Sequence, residues 1–339
     1  MSFGLGRSID WLMGLVYFFC ISKVISAARD EEGRFERMVI PVENVLVTGA
    51  TSYLGVNLIR RLTEENRSVH VLARPSSDLT RFDGIDPAPS GHRVEPEAES
   101  MIQAVMAVRP TATYHIAGYY VSDHKAEDVD RLIESNIRFG TVLLEALAQA
   151  GGGNIVNLGS YTQNYDSQNY RPLNLYAATK QAFADVLAYY SDIGAVRAVT
   201  LKLFHTYGPG DWRGKLLPAI RDAQRHGRDL PLVAEDETAF DLVYVDDVVD
   251  AMIHAASLLA DPVTDVIGRE FAVSSGKSCS MTELICMFEE IGGAPIETDR
   301  GAYPPMKRGI KEPRRGPVLP GWSPKTPLRD GIRLFLDAE

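Results

Sequence analysis

Residues 44–62 read NVLVTGATSYLGVNLIRRL. The first five are rich in apolar and β-branched side chains, as expected of a strand that is buried on both faces of a parallel sheet. Gly49 and Gly55 then enclose a turn, after which apolar residues recur at helical spacing. The stretch therefore predicts a strand, a glycine turn and a helix.

The glycine turn suggests a place for a phosphate group. Such a turn aims the N-terminus of the helix, with its free N–H groups and partial positive charge, at whatever lies above the strand. Gly49 would allow the tight turn and Gly55 the close packing of the helix on the sheet, whereas the middle position, often glycine, is Ser52. Alone, the motif fits either a dinucleotide site or a plain strand–helix joint.

Further segments extend the same alternation. Residues 69–73, 112–118, 154–160 and 198–204 are predicted strands, with a weaker one at 92–94, and residues 101–108 and 128–150 are predicted helices. Residues 205–211 are expected to form a turn that leads out of the sheet. Asn136 lies within the apolar pattern of the long helix, where it could hold a bend or a water molecule, or be a surface residue.

Arg74 bears on the choice of cofactor. It follows the second strand, where a dinucleotide site has its adenosine ribose. A carboxylate there selects the free 2′-hydroxyl, whereas an arginine can accept a 2′-phosphate. Arg74 therefore favours NADPH over NADH, unless it is a solvated surface residue. The small residues Ala117 and Gly118 would let the backbone of the cofactor lie against the end of the fourth strand.

Proton chemistry is suggested by residues 172–183, PLNLYAATKQAF. Tyr176 and Lys180 are four residues apart, so both project from one face of a helix. A phenol with a pKa of about 10 is a poor acid at neutral pH, and a neighbouring ammonium is expected to lower that pKa. Ser160 ends the fifth strand at the sheet edge where ligands bind, with Thr162 as the alternative hydroxyl.

Composition excludes several other classes. The 339 residues carry a net charge of −10 and are 45% hydrophobic, which is ordinary for an enzyme and disfavours nucleic-acid binding, since phosphate contacts need clustered Lys and Arg. The three cysteines, Cys20, Cys279 and Cys286, have no metal-ligand spacing. We therefore expect no metal and a reducing, cytoplasmic compartment.

The N-terminal extension, residues 1–41, is set apart from the fold. Its uncharged run from Trp11 to Ser22 spans about 18 Å as a helix, less than the roughly 30 Å of a bilayer core. It could be a non-functional extension, a helix that contacts a membrane surface or a partner, or a secretory signal. Membrane contact is possible but is not expected.

Six motifs in this order resemble the extended short-chain dehydrogenase/reductase family, whose Rossmann-type enzymes act on nucleotide-activated sugars. They are the Thr48-Gly49 to Gly55 turn, His115-Ile116-Ala117, Ser160, Tyr176 with Lys180, Tyr207-Gly208-Pro209 and residues 243–248, VYVDDV. Residues 174–183, 201–204, 215–217 and 319–322 are further similar to the CDP-abequose and CDP-paratose synthase branch. The resemblance implies an NADPH-dependent reductase of a 4-keto dideoxy sugar on CDP.

The resemblance also assigns roles to residues. Tyr176 would protonate the C4 oxygen of the sugar, Ser160 would orient that oxygen, and Lys180 would bind the nicotinamide ribose. The residues expected to bind the cofactor are Gly49, Thr51, Ser52, Tyr53, Leu54, Gly55, Arg74, Ala117, Gly118, Asn136, Lys180 and Phe204. The residues expected to bind the substrate are Thr162, His205, Arg213, Lys215 and Arg308.

Some positions depart from the family pattern. Phe240 stands where an arginine often precedes Asp241, which removes one expected phosphate contact. His205 replaces an asparagine that commonly faces the nucleotide sugar. Arg308 matches an arginine that contacts the diphosphate in relatives, and Arg213 and Lys215 could share that task or be solvated charges.

The expected architecture is α/β, with a Rossmann-type doubly wound parallel sheet and a smaller mixed α/β substrate lobe. The sheet domain would take residues 42–206 and 240–262, and the sugar-nucleotide lobe residues 207–239 and 263–335. Relatives suggest a homodimer through helices at 128–150 and 176–192. Two other functions stay open: an NAD-dependent nucleotide-sugar epimerase and a non-catalytic nucleotide-binding homologue.

Overall fold

The computed structural model describes residues 43–95, 97–167, 169–233, 238–303, 308–313 and 315–338. The N-terminal extension considered above, residues 1–41, lies outside these residues. None of the described helices is both long and apolar enough to cross a membrane.

A seven-stranded parallel sheet forms the centre of the described chain. Its order is β3-β2-β1-β4-β5-β6-β11. The strands are β1 (Asn44–Thr48), β2 (Ser68–Ala73), β3 (Ser90–Arg93), β4 (Ala112–His115), β5 (Asn154–Ser160), β6 (Arg197–Leu203) and β11 (Arg269–Val273). Because the order runs outward from β1 in both directions, a crevice is expected at the carboxyl ends of β1 and β4. The Rossmann-type sheet is confirmed.

Helices cover both faces of this sheet. They are α1 (Tyr53–Glu64), α2 (Ala98–Val108), α3 (Val129–Ile133), α4 (Phe139–Gln149), α5 (Leu175–Asp192) and α7 (Val245–Ala260). One hydrophobic cluster joins α1 and α7 to the sheet, and another joins α2, α4 and α5 to its opposite face. Burial on both sides explains why the central strands, such as β1 and β5, are mostly apolar rather than alternating, whereas the edge strand β3 is polar.

The predicted helix at 128–150 is continuous but not uniform. A π-helical turn, Glu134–Arg138, separates α3 from α4, and Asn136 lies within it. Its side chain is 1% exposed, so the surface interpretation of Asn136 is wrong. A π-turn puts one extra residue into a helix and is often found at functional sites.

A second group of elements follows β6. The short strand β7 (His205–Tyr207) pairs in parallel with β10 (Leu242–Tyr244), so the first part of the predicted 205–211 turn is extended chain. The other elements are α6 (Leu216–His226), β8 (Leu230–Val233), β9 (Ala239–Phe240), β12 (Cys279–Ser280), α8 (Met281–Gly292), β13 (Thr298–Tyr303) and α9 (Leu328–Asp337). They share a separate hydrophobic cluster around Tyr207, Ile220 and Phe288. The residue bounds of two lobes stay a prediction.

Candidate active site

The glycine turn after β1 is held by close backbone contacts. Gly49 has φ +66°, and a Cβ there would lie 2.6 Å from the backbone N of Ala117. A Cβ on Gly55 would lie 2.5 Å from the carbonyl oxygen of Ala50. Only glycine fits either place, because real Cβ atoms do not approach backbone so closely.

Ser52, the residue at the middle glycine position, caps α1. Its hydroxyl accepts a hydrogen bond from the N–H of Gly55 at 3.1 Å, and its carbonyl accepts from Val56. Among the described residues, this leaves the N–H groups of Tyr53 and Leu54 for an outside acceptor. The side chains of these two residues are buried in the core, so only their backbone can face a ligand. The residues present therefore fit a dinucleotide diphosphate.

The ends of β1 and β4 are tied together beneath this turn. The Thr48 hydroxyl accepts from the N–H of Ala117 at 3.2 Å and bonds to Nδ1 of His115 at 2.9 Å. Burial, followed by the nearby charge of Lys180, lowers the pKa of His115 to about 3. The neutral imidazole is therefore a structural part of the site floor.

Ser160 lies where the sequence predicts it, at the carboxyl end of β5. Its Oγ is 2.7 Å from Oγ1 of Thr162, and its N–H donates to Oε1 of Gln163 at 2.8 Å. Gln163 in turn donates to Gln181 of α5 at 2.8 Å. Both candidate hydroxyls are thus joined in one pair and fixed to the helix that carries Tyr176.

Helix α5 begins just before Tyr176 because Asn174 caps it. The Asn174 side chain accepts from the N–H of Ala177 at 2.9 Å, and the N–H of Leu173 donates to the carbonyl of Thr162 at 2.9 Å. The first turn of α5 is thereby held against the turn that follows Ser160. The structure brings Ser160, Thr162 and Tyr176 to one edge of the sheet.

The protonation of Tyr176 differs from the expectation. Burial, followed by the charge of Tyr120, raises the pKa of Tyr176 above its usual value. The expected lowering by Lys180 is therefore wrong for this structure, because withdrawal from water is the largest influence on the phenol and raises its pKa. Tyr176 is a neutral phenol at neutral pH.

Lys180 is 5% exposed, and burial lowers its pKa to about 8. Its Nζ lies 3.8 Å from the place that a Cβ on Gly118 would take. The ammonium therefore faces the small-residue end of β4, beside the glycine turn. It remains mostly protonated at neutral pH.

Asn136 fixes the loop that follows β4. Its Oδ1 accepts from the N–H of Tyr119 at 2.6 Å, and its Nδ2 donates to the carbonyl of Tyr119 at 3.0 Å and to Oγ1 of Thr179 at 2.9 Å. These bonds use both amide hydrogens. A direct cofactor contact of this side chain stays a prediction.

The adenosine end of the groove carries two arginines. Arg74 is exposed after β2, and the guanidinium of Arg93, the last residue of β3, donates to the carbonyls of Arg74 and Pro75. The sequence alone does not indicate Arg93 as a site residue, because β3 is short and polar. The register pairs Ala73 with Arg93, which places both arginines at the same corner.

The predicted substrate residues occupy different surroundings. His205 bonds through Nε2 to the Tyr161 hydroxyl at 2.8 Å, and burial, then Lys215, lowers its pKa to about 4. The ammonium of Lys215 lies 4.1 Å from the ring centroid of Tyr120. Arg308 lies over the ring of Tyr165 at 4.4 Å.

Arg213 is already committed to protein contacts. It forms two 2.7 Å bonds to the buried carboxylate of Asp211 and donates to the carbonyl of Thr206 at 2.8 Å. Its guanidinium also lies 4.5 Å from the ring centroid of Tyr53, at the start of α1. These contacts hold a loop against the glycine turn, and substrate binding by Arg213 stays a prediction.

Of two further residues, Phe204 belongs to the predicted set and Arg315 could not be found from local patterns. Phe204, a predicted cofactor residue, stacks on Tyr161 at 4.8 Å. Arg315 reaches the buried carboxylate of Asp241 at 2.7 Å, beside Phe240, where the arginine of relatives is missing. It thus brings a cation to this region from a distant part of the chain.

Comparisons with known proteins agree with this geometry. The model of the NAD dependent epimerase/dehydratase family matches residues 45–268. The CDP-abequose synthase of Yersinia pseudotuberculosis is 24% identical, with 76% of this chain and 88% of that protein covered. The UDP-glucose 4-epimerase of Mycolicibacterium smegmatis is 26% identical, with coverage of 85% and 95%.

A solved structure shows the same fold. The UDP-glucose 4-epimerase of Thermus thermophilus, in complex with NAD, has a TM-score of 0.73 and 25% identity, covering 87% of this chain and 98% of its own. The family match spans well over half of the sequence and includes the glycine turn, Ser160, Tyr176 and Lys180. The chain is therefore an enzyme that belongs to the NAD dependent epimerase/dehydratase family, within the extended short-chain dehydrogenases/reductases.

Proposed function

We propose that this enzyme is an NADPH-dependent reductase of a 4-keto dideoxy sugar nucleotide, with CDP as the nucleotide. The observation that carries the proposal is a neutral, partly buried phenol, Tyr176, held at the sheet edge beside the paired hydroxyls of Ser160 and Thr162. Such an arrangement is suited to giving a proton to a carbonyl oxygen.

The raised pKa of Tyr176 is compatible with reduction of a ketone. Reduction of a ketone needs an acid that is protonated before the reaction, whereas oxidation of an alcohol begins with a base that removes a proton. Burial keeps Tyr176 in the acid form. The nicotinamide, when bound, supplies the hydride for the same carbon.

Ser160 would orient the carbonyl oxygen. If the Thr162 hydroxyl donates to Ser160 across their 2.7 Å contact, the hydroxyl hydrogen of Ser160 is available to the substrate. Lys180 would hold the nicotinamide ribose through its protonated amine. The N–H groups at the start of α1 would hold the diphosphate, because they lack an acceptor among the described residues.

The choice of NADPH rests on Arg74, supported by Arg93. Both lie at the end of the adjacent strands β2 and β3, where an adenosine ribose would lie, and both can offer guanidinium N–H groups to a 2′-phosphate. The Thermus thermophilus relative was solved with NAD, which supports NAD as the cofactor of that protein.

The substrate class is inferred from the relatives. The names CDP-abequose synthase and UDP-glucose 4-epimerase both denote enzymes of nucleotide sugars. Lys215 and Arg308 would neutralise part of the substrate diphosphate. His205, kept neutral by burial, would offer a hydrogen bond rather than a charge.

An epimerase is the second candidate, because relatives with that name match 85% of the chain at 26% identity. It would use the same hydroxyl, phenol and amine. A panel of 4-keto-6-deoxy sugar nucleotides, tested with NADPH, separates the two functions. The reductase consumes one NADPH per product, whereas the epimerase copurifies with NAD and shows no net consumption.

We further propose that the protein is a homodimer in a reducing, cytoplasmic compartment. Apolar side chains are exposed on α3 and directly after α5, among them Ile133 at 43% and Ile193 at 58%. Such side chains on neighbouring helices can pack against a second copy. Sedimentation equilibrium would measure the mass, and a monomer at micromolar concentration would contradict the dimer.

A further inference from the structure

Tyr120 is a half-exposed aromatic residue that no motif accounts for. It lies in the loop after β4, directly after Tyr119, whose backbone N–H and carbonyl are both bonded to Asn136. Its side chain is 52% exposed. The backbone at its base is therefore fixed, although the ring itself is open to solvent.

The ring of Tyr120 meets the ring of Tyr176 edge to face. Their centroids are 5.0 Å apart, with an interplanar angle of 81°, the arrangement that aromatic quadrupoles prefer. The charge of Tyr120 also acts on the ionisation of Tyr161, the residue after Ser160. Tyr120 thus contacts Tyr176 and lies near enough to Tyr161 to affect its ionisation.

Lys215 holds Tyr120 from another direction. Its ammonium is 4.1 Å from the Tyr120 ring centroid, within the range of a cation–π interaction. Asp211 is an acidic residue that acts on its ionisation, and both oxygens of that carboxylate already bond to Arg213. An anionic group of the substrate could therefore draw this ammonium away from the ring.

We propose that Tyr120 is a positioning residue for Tyr176, and that it links the position of Lys215 to that of the proton donor. This proposal rests on the proposed function. The Tyr120 ring shields the phenol from water and limits its rotation. When the substrate diphosphate takes the ammonium of Lys215, the Tyr120 ring is released from the cation and keeps its contact with Tyr176.

The geometry supports a functional role because small displacements of a reacting group are costly. A misplacement of about 1 Å can lower a rate by about 100-fold. A comparable contact without such a role exists elsewhere on α5. Tyr189 is 60% exposed and meets Tyr190 edge to face at 5.3 Å and 83°, thirteen residues along the chain from Tyr176. Tyr189→Ala is therefore the matched control.

Steady-state kinetics with the ketone identified by the panel test the proposal. We expect Tyr120→Ala to lower kcat by about 10-fold to 100-fold, with the KM for NADPH unchanged, and Tyr120→Phe to stay within about threefold of the parent. At saturating ketone, the double variant Tyr120→Ala/Lys215→Met should have the kcat of Tyr120→Ala, because the contact between Tyr120 and Lys215 is lost in both, while its KM for the sugar nucleotide should rise because Lys215 would also contact the diphosphate. A kcat of Tyr120→Ala equal to that of Tyr189→Ala would overturn the proposal.

A second measurement needs no substrate and separates this proposal from the proposed function. Tetranitromethane nitrates exposed phenolates, and tandem mass spectrometry locates the modified tyrosine. Tyr176 should be nitrated several-fold faster in Tyr120→Ala than in the parent or in Tyr189→Ala. Equal rates would contradict the positioning role even if the enzyme reduces a ketone. A faster rate would support it even if no ketone in the panel is reduced.

Discussion

The side-chain amide of Asn136 donates to the hydroxyl of Thr179 at 2.9 Å, and that hydroxyl donates to the carbonyl of Tyr176 at 2.8 Å. Asn136 lies in the π-turn before α4, and Thr179 lies one turn into α5. The same amide holds both backbone groups of Tyr119. One buried side chain thus joins the loop after β4 to the first turn of the helix that carries the candidate acid.

Replacing Asn136 should loosen both parts at once. Asn136→Ala removes the partner of the partly buried backbone groups of Tyr119 and the donor to the Thr179 hydroxyl, so we expect a loss of about 1–3 kcal/mol in the free energy of unfolding. Chemical denaturation measures this. The control is Gln149→Ala, an exposed amide on α4 bonded to Glu145, which should change stability by less than about 0.5 kcal/mol. Equal losses in the free energy of unfolding would show that the Asn136 hydrogen bonds stabilise the fold no more than those of the exposed Gln149.

Glycine at position 55 is expected to be essential for the cofactor groove. A Cβ there meets the Ala50 carbonyl at 2.5 Å, so Gly55→Ala must shift α1 or the turn, with a cost of about 1–3 kcal/mol. The affinity for NADPH, measured by nicotinamide fluorescence, should also fall, because the turn that would hold the diphosphate is displaced. Gly316→Ala is the control, because nothing lies within 4 Å of its Cβ position. Unchanged NADPH affinity in Gly55→Ala would contradict the placement of the diphosphate.

Cofactor preference should depend on the arginines after β2 and β3. Arg74→Asp replaces a donor to the 2′-phosphate by a carboxylate that suits a free hydroxyl, and should lower the NADPH/NADH affinity ratio by at least about tenfold. Arg93→Leu should lower it less, because the Arg93 guanidinium is partly engaged with the carbonyls of Arg74 and Pro75 and the variant keeps Arg74. Arg60→Asp, an exposed charge change on α1, is the control. An unchanged ratio in Arg74→Asp would remove the NADPH assignment.

The buried ammonium of Lys180 should lower the free energy of unfolding at neutral pH. Burial lowers its pKa from 10.5 to about 8, so between these values the unfolded chain binds more protons, and stability rises with pH. Below pH 8 the full penalty applies. Lys180→Met should therefore raise the free energy of unfolding at pH 7 by about 1–3 kcal/mol and lose the rise between pH 8 and 10.5. A less stable Lys180→Met at pH 7 would show that the buried ammonium has partners that stabilise it.

The sequence predicts the parts of this fold that depend on local patterns. The strand–turn–helix unit of residues 44–62 and the end of β5 at Ser160 follow from apolar runs and glycines, and both are confirmed by the structure. Short pairings are harder to predict. The three residues of β7 form a strand only because β10, about forty residues later, lies beside them. Their local sequence therefore predicts a turn.

The parts of the site that the sequence does not reveal are contacts between distant residues. Tyr120 meets Tyr176 across 56 residues of chain, and Arg315 reaches Asp241 across 74. The raised pKa of Tyr176 has a related origin: the spacing of Tyr176 and Lys180 indicates a nearby ammonium but not the burial that raises the pKa of the phenol. Burial depends on the packing of the whole fold.

The central claim is that Tyr176 gives the proton that completes reduction of a keto sugar nucleotide. The most direct measurement is a single turnover of the parent enzyme and Tyr176→Phe, both saturated with NADPH, followed by loss of the nicotinamide absorbance. We expect Tyr176→Phe to bind NADPH as the parent does and to react about 100-fold to 10,000-fold more slowly. Turnover by Tyr176→Phe at nearly the parent rate would contradict the account.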